Sequence, residues 1–186
     1  MKLAGTTLAF LAAIIGANWA LETYGIINIG FGLTAPAGVF FAGLTFGLRD
    51  ALHELGGVRA VVPAIVAGAA MSWWLSDAVS IPGGYASIAV ASGAAFLLAE
   101  LLDLGVYAPL RTRNWPVAVV ASNIVGSIAD SAVFLMLAFG SLDYISGQVV
   151  GKTAMIAVSL PLVAYARRRY VSPSMAELTV MVPGDS

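Results

Sequence analysis

Stretches of about twenty mostly apolar residues recur along this chain, and that recurrence limits its fold more than any other feature. A bilayer's hydrocarbon core is about 30 Å thick, so a helix rising 1.5 Å per residue needs roughly 20 apolar residues to cross it. Six such stretches stand over 3–21, 36–56, 59–76, 85–108, 116–140 and 145–166. Chain breakers separate them: Gly30, Gly32 and Pro36; Gly56 and Gly57; Pro82, Gly83 and Gly84; Asn114 before Pro116; and Gly140 to Asp143. The ten-residue alternating strands of a membrane barrel do not occur. Composition agrees, with 60% of the 186 residues apolar and only 10% charged, where a soluble domain carries roughly a quarter charged. One soluble core of this size would leave large apolar patches in water. The expected fold is all-α: a polytopic bundle of six transmembrane helices over 1–170, with a mobile cytoplasmic tail over 171–186.

The basic residues orient the bundle. Lys2, Arg59, Arg111, Arg113, Arg167, Arg168 and Arg169 all fall at the termini or in the second and fourth connections. The other three connections carry only Glu22, Asp77 and Asp143. The positive-inside rule therefore puts both termini in the cytoplasm of a multi-pass protein of the plasma (inner) membrane. Trp19, Trp73, Trp74 and Trp115 sit near expected helix ends, where indoles anchor at the interface. A net charge of −1 offers no cationic face for nucleic acid. With no cysteine and one histidine, His53, neither a metal site nor a bound cofactor is expected. No Gly-x-Ser-x-Gly elbow or nucleophile–base pair suggests an enzyme, and no filter-like run suggests a channel. The first apolar run outlasts the core of a signal peptide, so it reads as a span.

Inside these spans lie charges that lipid should not tolerate: Arg49, Asp50, Glu54, Glu100, Asp103, Asp130 and Lys152. Each costs about 2.5–3.5 kcal/mol at a helix centre, so they should face a polar interior and pair. Counted from the outer ends, Asp130 and Lys152 come at roughly 12–15 Å, and Arg49, Asp50 and Glu100 at roughly 21–24 Å. The depths suggest Asp130 with Lys152 and Arg49 with Glu100. Helical spacing groups the rest. Asn123, Ser127, Asp130 and Phe134 share one face of the fifth span, and Glu100, Asp103 and Tyr107 one face of the fourth. Gln148 with Lys152, and Asp50 with Glu54, are each one turn apart. Turned inward, these faces would line a cavity. Gly43, Gly47, Gly126, Gly147 and Gly151 read as helix–helix contacts.

From Glu100 onward the chain resembles the queuosine precursor transporter family, also called the vitamin uptake transporter family. The similarity lies in Glu100–Leu101–Leu102–Asp103, Val106–Tyr107, Leu110–Arg111, Trp115, Ala121–Ser122–Asn123 with Gly126, Asp130–Ser131, Phe134, Ala138–Phe139 and Gly151–Lys152–Thr153. Upstream, Pro36 to Gly38, Arg49–Asp50 and Glu54 to Gly56 are similar to the family's second span. Glu100 departs from the pattern, since an amide is common there. The resemblance implies a six-span importer of 7-deazaguanine bases, the queuosine precursors preQ0 and preQ1.

The residue chemistry suits such a ligand. A guanine-like edge presents two adjacent donors that one carboxylate can grip, Asp130 or Glu100. Asn123, Gln148 or Lys152 could satisfy its carbonyl, and Phe134 or Tyr107 could pack on the ring. Asp103 or Asp50 could hold the cation of an aminomethyl group. The expected substrate-binding set is thus Arg49, Asp50, Glu100, Asp103, Tyr107, Asn123, Asp130, Phe134, Gln148 and Lys152. The expected partners are a small purine-like base and the lipid bilayer. A homodimer, or an ATPase coupling module, would be the protein partner. The latter belongs to an alternative reading, the binding subunit of an energy-coupling-factor vitamin importer, suggested by the spacing of Ala9, Ala13 and Ala17.

Overall fold

A computed structural model of the chain describes residues 3–76, 88–110 and 113–180. Its elements are α1 (Leu3–Tyr24), β1 (Ile26–Gly30), β2 (Leu33–Pro36), α2 (Val39–Gly56), α3 (Val58–Ser76), α4 (Ile88–Leu110), α5 (Trp115–Phe139) and α6 (Ile145–Val180). Six helices stand where six apolar stretches are read, and the breakers act as expected. Asn114 caps α5, its Oδ1 accepting from the Val117 amide at 3.3 Å, with Pro116 in the first turn. Gly140 ends α5 in the left-handed region (φ 68°), a conformation that costs glycine little, and its amide donates to the Met136 carbonyl.

Three expectations need correction. The first connection is a β-hairpin: Ile26 pairs with Pro36 and Ile27 with Ala35, and the register slips between Asn28 and Gly30. The second helix therefore begins at Val39, three residues after the expected start. The last helix runs on to Val180, past the expected end at 166. The breaker Pro82–Gly83–Gly84 and the charges Asp77 and Arg111 lie outside the described residues.

Small residues decide which helices meet. A Cβ built on Gly43 would come within 2.7 to 2.9 Å of Met155 Cβ and the backbone of Lys152, and one on Gly47 would strike Ser159. Gly151 receives Val39 in the same way, and Gly147 receives the Thr34 carbonyl of β2. Such glycines let backbones approach closely without lipid between them. They seat α2 and the hairpin on α6, a contact between elements far apart in sequence.

Apolar clusters fill both ends of the bundle. Leu21, Ile88, Phe134 and Leu135 pack at the hairpin end, and Phe10, Leu48, Leu52 and Val61 toward the opposite end. The surface inverts that of a soluble protein. Leu8, Val66 and Val158 are 67%, 62% and 67% exposed, while Arg49, Lys152 and Asp130 are only 2%, 1% and 7% exposed. Lipid-facing apolar side chains around a polar interior explain that inversion, and water does not. Among the described residues, Leu3–Tyr24, Val117–Phe139 and Ile145–Ala166 are long and apolar enough to cross a membrane. Val58–Met71 and Val90–Ala99 are shorter apolar segments.

Candidate functional site

A cavity of about 110 Å³ lies between all six helices, in the half of the bundle nearer the hairpin. Since a water needs roughly 10–15 Å³ by this measure, it holds several. Its polar wall is made by Asp130 of α5, Gln148 and Lys152 of α6, Asn18 of α1, Thr45 of α2 and Ser92 of α4. Phe134, Phe46 and Phe96 supply aromatic edges.

The local fold explains how the ion pair arises. Because α2 presses on the backbone of α6 at Lys152, the lysine side chain must leave toward α5. There its Nζ donates to Asp130 Oδ2 and to Ser131 Oγ at 3.0 Å. This is the pair expected from depth. Lys152 is almost wholly buried, while the Asp130 side chain keeps 10% of its surface exposed. Four residues before Lys152 on the same face, Gln148 is buried, and its Oε1 has no hydrogen-bond partner. An unsatisfied buried acceptor costs about 1–3 kcal/mol. One at a cavity wall marks a place where a ligand donor or a water would be stabilised.

Arg49, Asp50 and Asn123 are brought together elsewhere and are not among the wall residues. Arg49 curls back on its own neighbour, its Nε and one terminal nitrogen donating to Asp50 Oδ1 at 3.0 and 2.6 Å. Asn123 reaches across from α5, with Nδ2 donating to Asp50 Oδ2 at 2.7 Å and to the Val119 carbonyl at 2.8 Å. Phe46 stands between this network and the cavity, its ring centroid 5.4 Å from the Arg49 guanidinium carbon. The side chains of Glu100, Asp103 and Tyr107 lie outside the described residues, so the expected Arg49–Glu100 pair does too.

Of the ten expected binding residues, then, Asp130, Phe134, Gln148 and Lys152 share the cavity wall. Sequence reasoning missed Asn18, Thr45, Phe46 and Phe96. Two of these left a signal: Asn18 is an amide within an apolar span, and Thr45 lies one turn before Arg49 on the same face.

Comparison with curated proteins finds no match, and comparison with solved structures finds none either. Residues 36–166 match the family described as "Putative vitamin uptake transporter". The matched segment carries every wall residue of α2 to α6, while α1 and its Asn18 lie before it. With the greater part of its length matched, and its buried charges gathered inside an apolar helical bundle, the chain belongs to the vitamin uptake transporter family and is a membrane protein.

Proposed function

We propose that the chain crosses the plasma membrane six times with both termini in the cytoplasm, and imports a purine-like base through the cavity. The base is a 7-deazaguanine of the queuosine precursor class, preQ0 or preQ1. The observation that carries this reading is one wall shared by a buried ion pair, an unpartnered amide oxygen and an aromatic edge: Asp130 with Lys152, Gln148, and Phe134. A flat heterocycle with adjacent N–H donors and one carbonyl matches those groups. Asp130 takes the donor edge with its partly exposed carboxylate. Gln148 or Lys152 meets the remaining polar atoms, and Phe134 packs on the ring.

The helix directions support the topology. Exposed Arg59 and Arg113 lie at one end of the bundle, and exposed Glu22 and Asp143 at the other. The coupling-factor alternative gains nothing from the alanine stripe of α1. Ala9 is exposed, Ala17 half-buried and Ala13 buried among Phe10 and Leu48, so the three do not form one outward face.

Reconstitution of the purified chain alone in liposomes tests the reading. Labelled preQ0 should accumulate, unlabelled preQ1 or guanine-like bases should compete, and Asp130→Asn should abolish uptake. Uptake that appears only with an added ATPase module would favour the alternative. Binding of an unrelated vitamin with no response to 7-deazaguanines would end the substrate assignment.

A further inference from the structure

At its hairpin end the cavity is bounded by chain that is not helical. Pro36, the last residue of β2, and Gly38 just beyond it both belong to the wall. The strand sits on α6 through its backbone. The Thr34 carbonyl oxygen occupies the space that a Cβ on Gly147 would need, and the Ala35 methyl lies 3.2 Å from the same point. Gly147 directly precedes Gln148, a wall residue whose Oε1 has no partner. The seat of the hairpin and the candidate ligand acceptor are thus neighbours on α6.

This seat is built to part cleanly. Pairing of β1 with β2, and the Ala37 amide donating to the Gly25 carbonyl at 2.8 Å, let the hairpin keep its own shape. Asn28 spends its side-chain oxygen on the Gly30 amide within the turn. Among the described residues, no side-chain hydrogen bond or ion pair joins the hairpin to a helix. Within 26–36, Ala35 and Pro36 are the buried residues, and both are small. Lifting β2 off α6 therefore uncovers little apolar surface and strands no charge. Gly25, at φ 60°, stands between α1 and β1 as a pivot. The start of α2 is held more firmly, with Val39 fitted on Gly151 and Gly43 on the backbone of Lys152. The unit that can swing is the hairpin, over 25–37.

We propose that the β1–β2 hairpin is a lid on the cavity, and that lifting β2 from Gly147 opens the cavity to the end that bears the α5–α6 connection. The lid rests on the transporter reading for its purpose, and adds a moving part to the groups that bind.

The chain contains no cysteine, so a single introduced thiol is unique. Thr45 is a buried wall residue whose hydroxyl donates to the Ala42 carbonyl of its own helix, which makes Thr45→Cys a mild internal probe. Exposed reference thiols at Leu142→Cys and Arg113→Cys, placed singly, report which face of a membrane vesicle is which. The reagent is a charged, membrane-impermeant methanethiosulfonate. Adding Gly147→Ala, which wedges the strand off its seat, should speed labelling of Thr45→Cys at least tenfold from the Leu142 face and leave the Arg113 face unchanged. Gly147→Val should act in the same direction and more strongly. Folded variants with an unchanged rate from the Leu142 face, or with an equal rise from both faces, would overturn the proposal. If neither variant folds, spin labels on the exposed pair Phe31→Cys and Ser146→Cys decide, with Gly147 intact. Two distance populations, seated and lifted, are expected, and a single narrow one would make the hairpin a fixed plug. No ligand enters either readout, so the lid can fail while liposome uptake succeeds, or hold while uptake fails.

Discussion

Asp130 and Asn123 stand seven residues apart on α5, each joined to a buried ion pair, and the two pairs are built differently. At Asp130 the opposite charge comes from another helix, Lys152 of α6. At Asn123 the ion pair among the described residues, Arg49 with Asp50, lies within α2, and α5 contributes an amide. Separating α5 from α6 would strand two ions in a low dielectric, at several kcal/mol. Separating α2 from α5 would lose interhelical hydrogen bonds, which average about 0.6 kcal/mol and reach about 1.7 in a membrane protein. The first pair borders a cavity beside an unsatisfied acceptor, and the second lies behind Phe46. Among the described residues, the contrast is between α5–α6, a wall of the cavity held by opposite charges, and α2–α5, a seam joined through an amide.

The strongest way to break this contrast is Lys152→Met. It leaves Asp130 buried without its cation and should lower stability by about 3–5 kcal/mol, read as thermal unfolding in detergent. Adding Asp130→Asn should restore most of the midpoint while ligand binding stays lost. An unshifted midpoint in the single variant would show that the wall is not held by charge. Gly47→Val comes next, because any side chain there strikes Ser159 across α2–α6. Overpacking of that kind costs about 1–3 kcal/mol, and a smaller loss would mean that α2 can move against α6.

Asn123→Ala should cost less, about 1–2 kcal/mol, since it removes interhelical hydrogen bonds and separates no ions. A loss equal to that of Lys152→Met would erase the difference between the two pairs. Gln148→Leu should leave stability unchanged or slightly raised, because it deletes an acceptor that has no partner in the folded chain. Its effect should appear in ligand affinity, weakened about tenfold by calorimetry or competition; unchanged affinity would take Gln148 out of the binding wall.

Several of these features were legible in one dimension. The depth argument matched Asp130 with Lys152 because Gly140 and the residues to Asp143 mark the ends of α5 and α6, and helical rise is constant. The Arg49–Asp50 contact was not legible, since neighbouring residues on a helix point in different directions; the pairing with Glu100 that depth suggests lies outside the described residues. The hairpin escaped for another reason. Strands of five and four residues are too short to show a period, and Gly30, Gly32 and Pro36 read equally well as a plain break. Asn18 and Thr45 left a polar signal in the sequence, but a polar side chain on a helix does not by itself reveal which neighbour it will face.

Hydrophobic run length, breakers and charge placement were therefore enough to specify six helices, an apolar exterior, and the residues that must avoid it. Those are local properties, written by transfer free energy and by backbone geometry within each segment. Helix rotation and partner choice came from packing instead. Gly43 and Gly47 fit against Lys152, Met155 and Ser159 across more than a hundred residues of chain. That fit aims Lys152 at Asp130, and the arrangement around α5 sets Asn123 against Asp50. Close packing between distant segments depends on shape in three dimensions, so it sorted buried charges of similar chemistry into a cavity wall and a seam.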